Sequence, residues 1–171
     1  TISGPWTGYF ENGPHGVLFT TGVITDNITL RDIDISRSDA GSQPAYGVRF
    51  HKCAGHVSFT NATLENVSVG ALGSDPVTGI ELAGATGVTI TGADLSSNRG
   101  LRLYGCNSVT VADSALCGLV VDAQTEACTD IVVRDTVSTA SGTALSVLTE
   151  TSCSLDLDGC TFTGSASATK N

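Results

Sequence analysis

The chain of 171 residues has no methionine, one tryptophan and four prolines, and its lysines stand only at Lys52 and Lys170. Long straight-chain helix formers are therefore scarce, which argues against a helical bundle or coiled coil. Basic residues are also few: 8 against 17 acidic ones, for a net charge of −9. Affinity for a phosphate backbone comes from Lys and Arg, so no nucleic acid partner is expected. No apolar run approaches the ~20 residues of a membrane-spanning helix, and the chain as given shows no signal peptide, so no membrane span is expected. The six cysteines, at 53, 106, 117, 128, 153 and 160, include no CxxC pair. That removes the usual zinc spacing and leaves two roles, small core residues or disulfides of an oxidising compartment.

Gly, Thr, Ser, Val and Ala are abundant, as in short strands joined by tight turns. The hydrophobic share of 40% supplies a core. Between Gly79 and Leu116 the chain repeats itself, GIELAGATGVTITGADL followed by GLRLYGCNSVTVADSAL. Each copy opens with glycine and an apolar-x-apolar triplet, reaches a second triplet through a polar link, and crosses a turn to a third. Alternation with period 2 over such spans marks strands. A unit of about 20 residues cannot bury its apolar face alone, so the units must stack.

The opening strand recurs six times, at Gly16-Val17-Leu18-Phe19, Gly47-Val48-Arg49-Phe50, Gly79-Ile80-Glu81-Leu82, Gly100-Leu101-Arg102-Leu103, Gly118-Leu119-Val120-Val121 and Ala144-Leu145-Ser146-Val147. The second strand is read at Ile28–Leu30, Val57–Phe59, Val88–Ile90, Val109–Val111, Ile131–Val133 and Leu155–Leu157. Two residues after each comes Asp32, Asn61, Gly92, Asp113, Asp135 or Gly159. These types tolerate a left-handed backbone, so the column predicts one sharp turn per coil. A third strand follows at Ile33–Ile35, Ala62–Leu64, Ala93–Leu95, Ser114–Leu116 and Cys160–Phe162. In the fifth coil Thr136-Val137-Ser138 points polar residues inward, and a bulge or shift is expected there.

The predicted class is all-β, a parallel solenoid of about six coils with three short strands each. Residues 1–15, with the only tryptophan, read as a cap or the end of a preceding coil; residues 16–163 form the stack and 164–171 a C-terminal tail. From the abrupt start at Thr1, a fragment of a larger protein is expected. These columns resemble the right-handed parallel β-helix of the pectate-lyase-like superfamily, over about residues 16–163 and in architecture. The resemblance implies an extracellular carbohydrate-active domain, secreted or at the cell surface, that binds or cleaves an acidic polysaccharide along the first-strand face, as a lyase or hydrolase. The other expectation is a non-catalytic structural or adhesive module of a surface protein or phage fibre, with oligomerisation or flanking domains covering its ends.

The register places two outward rows on the first strand. One is Leu18, Arg49, Glu81, Arg102, Val120 and Ser146; the other is Thr20, His51, Ala83, Tyr104, Asp122 and Leu148. Arginines can clamp a sugar carboxylate or stabilise an enolate, and His, Tyr or Glu can move a proton. Candidate catalytic residues are accordingly His51, Glu81 and Arg102; candidate substrate-binding residues are Arg49, Tyr104 and Asp122. Glu81 with Asp122 is the pair a hydrolase would use. The same charges at one-coil spacing also suit a salt-bridged ladder of purely structural role. No cofactor or metal is expected. Calcium serves many pectate lyases, but no loop here carries the alternating acids of a dedicated site. The second-strand row, Thr29, Ser58, Thr89, Thr110, Val132 and Asp156, is too irregular for an ice-binding array and reflects the β-propensity of threonine. Cys106 and Cys128, three residues before their second strands on adjacent coils, are placed to bridge.

Overall fold

The structure, a computed structural model, describes residues 15–20, 26–36, 45–52, 58–70, 77–97 and 100–170. The first coil holds β1 (His15–Thr20) and β2 (Thr29–Ile35); the second holds β3 (Ala45–His51), β4 (Phe59–Thr60) and β5 (Thr63–Val69). The third has β6 (Val77–Ala83), β7 (Ala85–Thr91) and β8 (Asp94–Leu95), and the fourth has β9 (Leu101–Tyr104), β10 (Asn107–Ala112) and β11 (Ala115–Leu116). β12 (Leu119–Ala123), β13 (Cys128–Arg134), β14 (Val137–Thr149), β15 (Cys153–Asp158) and β16 (Thr161–Lys170) complete the order. The described residues contain no helix. Every strand pairing is parallel, and the opening strands pair in the order β1-β3-β6-β9-β12-β14, with β16 on β14. This is a parallel β-helix.

All six predicted opening strands lie in that ladder, in the predicted register. About four turns are formed, fewer than the six coils expected. The first and last coils have partners on one side for their later strands, so only the turns between them are enclosed. At the far end β16 runs on to Lys170 against β14, so residues 164–170 extend the stack where a tail was expected. The proposed cap at residues 1–15 falls, except for the strand start at His15, outside the described residues.

Alternation aims two side chains of each opening strand inward. One interior column runs Phe19, Phe50, Leu82, Leu103, Val121 and Val147. Phe50 meets Phe19 with ring centroids 4.8 Å apart and Phe59 edge-on at 5.3 Å, so this column is aromatic in the first two coils and aliphatic in the later ones. Phe50, Phe59, Leu64, Leu82, Ile90 and Leu103 are completely buried. Toward the last coil the same columns open: Leu155 and Phe162 are half-buried and Leu157 is 39% exposed.

The second coil corrects the predicted register. Thr63, not Ser58, stands between Thr29 and Thr89 in the outward row of the second strand, so that strand is Ala62–Leu64 and the third is Val67–Val69. Asn66, not Asn61, then occupies the turn column with Asp32, Gly92, Asp113, Asp135 and Gly159, all at positive φ. Asn61 belongs to a second left-handed column that the sequence reading lacked, made by Asn27, Asn61, Gly87, Ser108 and Asp130. The two columns lie five residues apart in every coil that has both, and each marks a corner. The Asn66 amide donates to the Asp32 carboxylate at 2.8 Å, and the Asn61 amide to Asp26 at 3.0 Å, so the early corners are tied coil to coil.

Coil five keeps its register where a shift was expected. Val137 pairs with Ala115 and Thr161, while Thr136 and Ser138 are fully buried. Each satisfies its hydroxyl locally: Thr136 donates to the Arg134 carbonyl at 2.8 Å and Ser138 to the Ala144 carbonyl at 2.9 Å. A buried hydroxyl with such a partner carries little penalty. The irregularity comes further on, as register shifts between Thr139 and Leu145.

Candidate functional site

Four of the predicted site residues form one chain of charges across the first-strand face. Arg49 on β3, Glu81 on β6 and Arg102 on β9 are register partners on successive coils, about 4.8 Å apart. Arg49 Nε donates to Glu81 Oε1 at 2.8 Å, Arg102 Nη1 lies 3.8 Å from Glu81 Oε2, and Arg102 Nη2 donates to Asp122 Oδ2 at 2.8 Å. Asp122 sits on β12 one coil beyond Arg102 and in the neighbouring row, so the Arg102 side chain leans across the row to reach it. The two acids and two bases cancel.

Burial distinguishes these groups sharply. The Arg49 and Glu81 side chains are each 7% exposed and that of Asp122 is 4%, although all three leave the outer side of their strands. Arg102 is 45% exposed. Burial acts to lower the Arg102 pKa, but the hydrogen bond it donates to Asp122 and the charge of Glu81 outweigh that and hold the guanidinium above its ordinary value. Tyr46 lies under the Arg49 guanidinium, 4.4 Å from ring centroid to Cζ. Burial first, and the Glu81 charge second, raise the Tyr46 phenol pKa.

Tyr104 and Asp122 are adjacent in the second row, as predicted, and the Tyr104 hydroxyl bonds to Thr125 Oγ1. His51 is half-buried at the end of β3 and pairs in register with Ala83, which separates it by a coil from Tyr104. The structure thus joins Arg49, Glu81, Arg102 and Asp122, with Tyr104 beside them, and leaves His51 at the margin. Tyr46 was not foreseen, because strict alternation places residues three apart on opposite faces. The run of buried residues Gly47–Phe50 shows where alternation fails. Lys52 and Glu126, also unforeseen, pair at 3.3 Å across two intervening coils. Gly84 and Gly105 make room for them: a Cβ at Gly84 would stand 2.2 Å from Lys52 Cδ, and one at Gly105 2.7 Å from Glu126 Cβ.

The described cysteines are free thiols, so the expected Cys106–Cys128 bridge is absent and the disulfide reading is corrected. Cys106, Cys128 and Cys153 instead stack inward on successive coils. The Cys106 thiol donates to the Leu82 carbonyl at 3.3 Å and the Cys128 thiol to the Asp122 carbonyl at 3.3 Å, as small hydrophobes with local partners. Burial pushes the Cys106 thiol up to about 12 and also raises Cys128. Raised thiol pKa values give stability that is complete below the unfolded value, near 8.5, and lost as pH climbs toward the folded one. The urea midpoint should therefore fall between pH 9 and 12, by less in Cys106→Ala than in the native chain. Equal slopes in the two proteins would contradict this.

No group of three or more His, Cys, Asp or Glu among the described residues is arranged to hold a metal ion. No described helix is long and apolar enough to cross a membrane. By fold and site the protein is a parallel β-helix with an ion-paired row on its first-strand face. Comparison of the chain with protein families, with curated proteins and with solved structures gives no match.

Proposed function

We propose that this chain is a carbohydrate-binding β-helix module of a secreted or cell-surface protein, and that it holds an acidic polysaccharide on the first-strand face without cleaving it. The observation that carries this reading is Arg102, a half-exposed guanidinium beside Tyr104 whose neighbouring acids are buried. A guanidinium has five N–H donors, and bonding Asp122 through Nη2 leaves others to face a ligand carboxylate. Asp122 and Glu81 fix its direction beforehand, which lowers the ordering cost of binding.

The same geometry weighs against cleavage. A general acid or base must reach the proton it moves, but the Glu81 side chain is 7% exposed and bonded to Arg49. Arg102 also stands between Glu81 and Asp122, where a hydrolase would seat the glycosidic oxygen. The purely structural or adhesive reading draws on the Arg49–Glu81 pair, which is too buried to meet a ligand.

Calorimetric titration with uronate-containing oligosaccharides, alongside absorbance of unsaturated uronides, tests the proposal. Binding is expected without product formation, and Arg102→Ala should weaken it by about tenfold or more, the scale of a charged hydrogen bond. Product formation would restore the enzymatic reading. Equal affinity in Arg102→Ala would remove the site, and no binding to any glycan would leave the structural module.

A further inference from the structure

We infer that the cavity beside Val120 seats a neutral sugar of the same glycan whose carboxylate Arg102 holds, so that the preferred ligand alternates neutral and acidic residues. This rests on the binding role of Arg102 proposed above.

The cavity follows from unequal connections. Between β11 and β12 the chain turns through Cys117 and Gly118 alone, whereas the next passage bulges out over residues 140–143 before it rejoins the ladder. The longer passage overhangs the shorter one and leaves a space of about 510 Å³, lined among others by Cys117, Gly118, Val120, Ser141, Gly142 and Thr143. That volume lies in the range of small-molecule sites. Its lining carries no charge. Val120 offers an apolar surface, the two glycines admit close approach, and the Ser141 and Thr143 hydroxyls can bond sugar hydroxyls. Such a mixture suits a neutral pyranose. The rim is braced from the last coil, where Ser165 Oγ lies 3.1 Å from the Gly142 carbonyl and 3.2 Å from Thr143 Oγ1.

Position ties the cavity to the cation. Val120 is the register partner of Arg102, and Asp122, to which Arg102 bonds, lies two residues further along the same strand. A ligand spanning both would place a carboxylate on Arg102 and an uncharged ring over Val120. Net charge points the same way. At −9 the protein's field repels a densely charged polyuronate, so a sparsely charged chain is the better partner.

Three probes separate the cavity from the cation: glucuronate, cellobiose, and a disaccharide of glucuronate linked to glucose. Affinity is read by calorimetry and cavity occupancy by the rate of Cys117 alkylation, located by peptide mass mapping, since Cys117 is half-buried in the lining. Gly142→Phe supplies the variant, because Gly142 lines the cavity and a Cβ there meets nothing within 4 Å, so a ring can be added at its rim without displacing backbone. The disaccharide should bind at least about tenfold more tightly than glucuronate and slow Cys117 alkylation. Gly142→Phe should erase that advantage while leaving glucuronate binding unchanged. Equal affinity for disaccharide and glucuronate, without Cys117 protection, would overturn the cavity inference and leave Arg102 standing. Protection by cellobiose with no glucuronate binding would overturn the role of Arg102 and keep the cavity. No binding by any probe would overturn both.

Discussion

Glu81→Ala is expected to destabilise the fold by about 3–5 kcal/mol, the usual consequence of removing one partner from a buried ion pair. Arg49 would keep its charge at 7% exposure with its 2.8 Å acceptor gone, and Arg102 would lose its second acid. Replacing both partners with hydrophobes, Arg49→Met with Glu81→Leu, should recover most of the loss or exceed the native stability, because neither buried charge then has to be desolvated. Urea unfolding of the native chain, Arg49→Met, Glu81→Leu and the double variant closes the cycle, with Glu81→Ala measured beside them. A loss below about 1 kcal/mol in Glu81→Ala would mean that the pair behaves as a surface bridge and that the face is open to solvent. The measurement therefore bears on function as well, since an open face would return Glu81 to the candidates for proton transfer.

The columns that were readable in the sequence are those that sterics and burial impose on every coil. Interior pairs such as Val48 with Phe50 and Ile80 with Leu82 repeat because each must fill the same space, and Arg49, Glu81 and Arg102 fell into line once those pairs were aligned. The second coil was misread for a specific reason. It carries asparagine at both left-handed corners, and an apolar-x-apolar triplet precedes each, Val57–Phe59 before Asn61 and Ala62–Leu64 before Asn66. Matching by type alone stopped at the first. Cross-coil pairing would have chosen the second, since it sets Glu65 opposite Arg31, where they bond at 2.7 Å, and completes the run Thr29, Thr63, Thr89, Thr110.

The site was legible as a row of residue types and not as an environment. Nothing in alternation tells that Glu81 is buried and Arg102 half-exposed, because that depends on how far each side chain leans and on what passes over it. Arg102 reaches diagonally to Asp122 in the other row, and Tyr46 reaches Arg49 from a position that alternation assigns to the opposite face. The cavity at Val120 was equally hidden. It exists because one inter-coil passage is longer than its neighbour, a relation between two segments that neither shows by itself.

Gly100→Ala should be a severely damaging single-methyl addition to the stack. The glycines that open successive coils sit where one turn crosses closely over the next, and Gly100 has φ of +77°. A left-handed alanine costs roughly 1–2 kcal/mol in backbone sterics alone. Its Cβ would also stand 2.0 Å from the Gly118 carbonyl oxygen and 2.9 Å from the Gly118 nitrogen. Those are main-chain atoms, and the same carbonyl accepts the Leu101 amide at 3.0 Å, while the Gly100 carbonyl accepts the Ile80 amide at 3.1 Å. Relief requires three coils to separate at the point that carries Glu81, Arg102 and Val120. Overpacking of this kind adds roughly 1–3 kcal/mol, for a total of about 2–5 kcal/mol. Gly142→Ala is the control, with no atom within 4 Å of its Cβ, and should change stability by no more than about 0.5 kcal/mol. Thermal and urea unfolding of the two variants give the comparison. Similar stabilities would show that the glycine column tolerates side chains, and that the close crossing of the coils is not what selects glycine there.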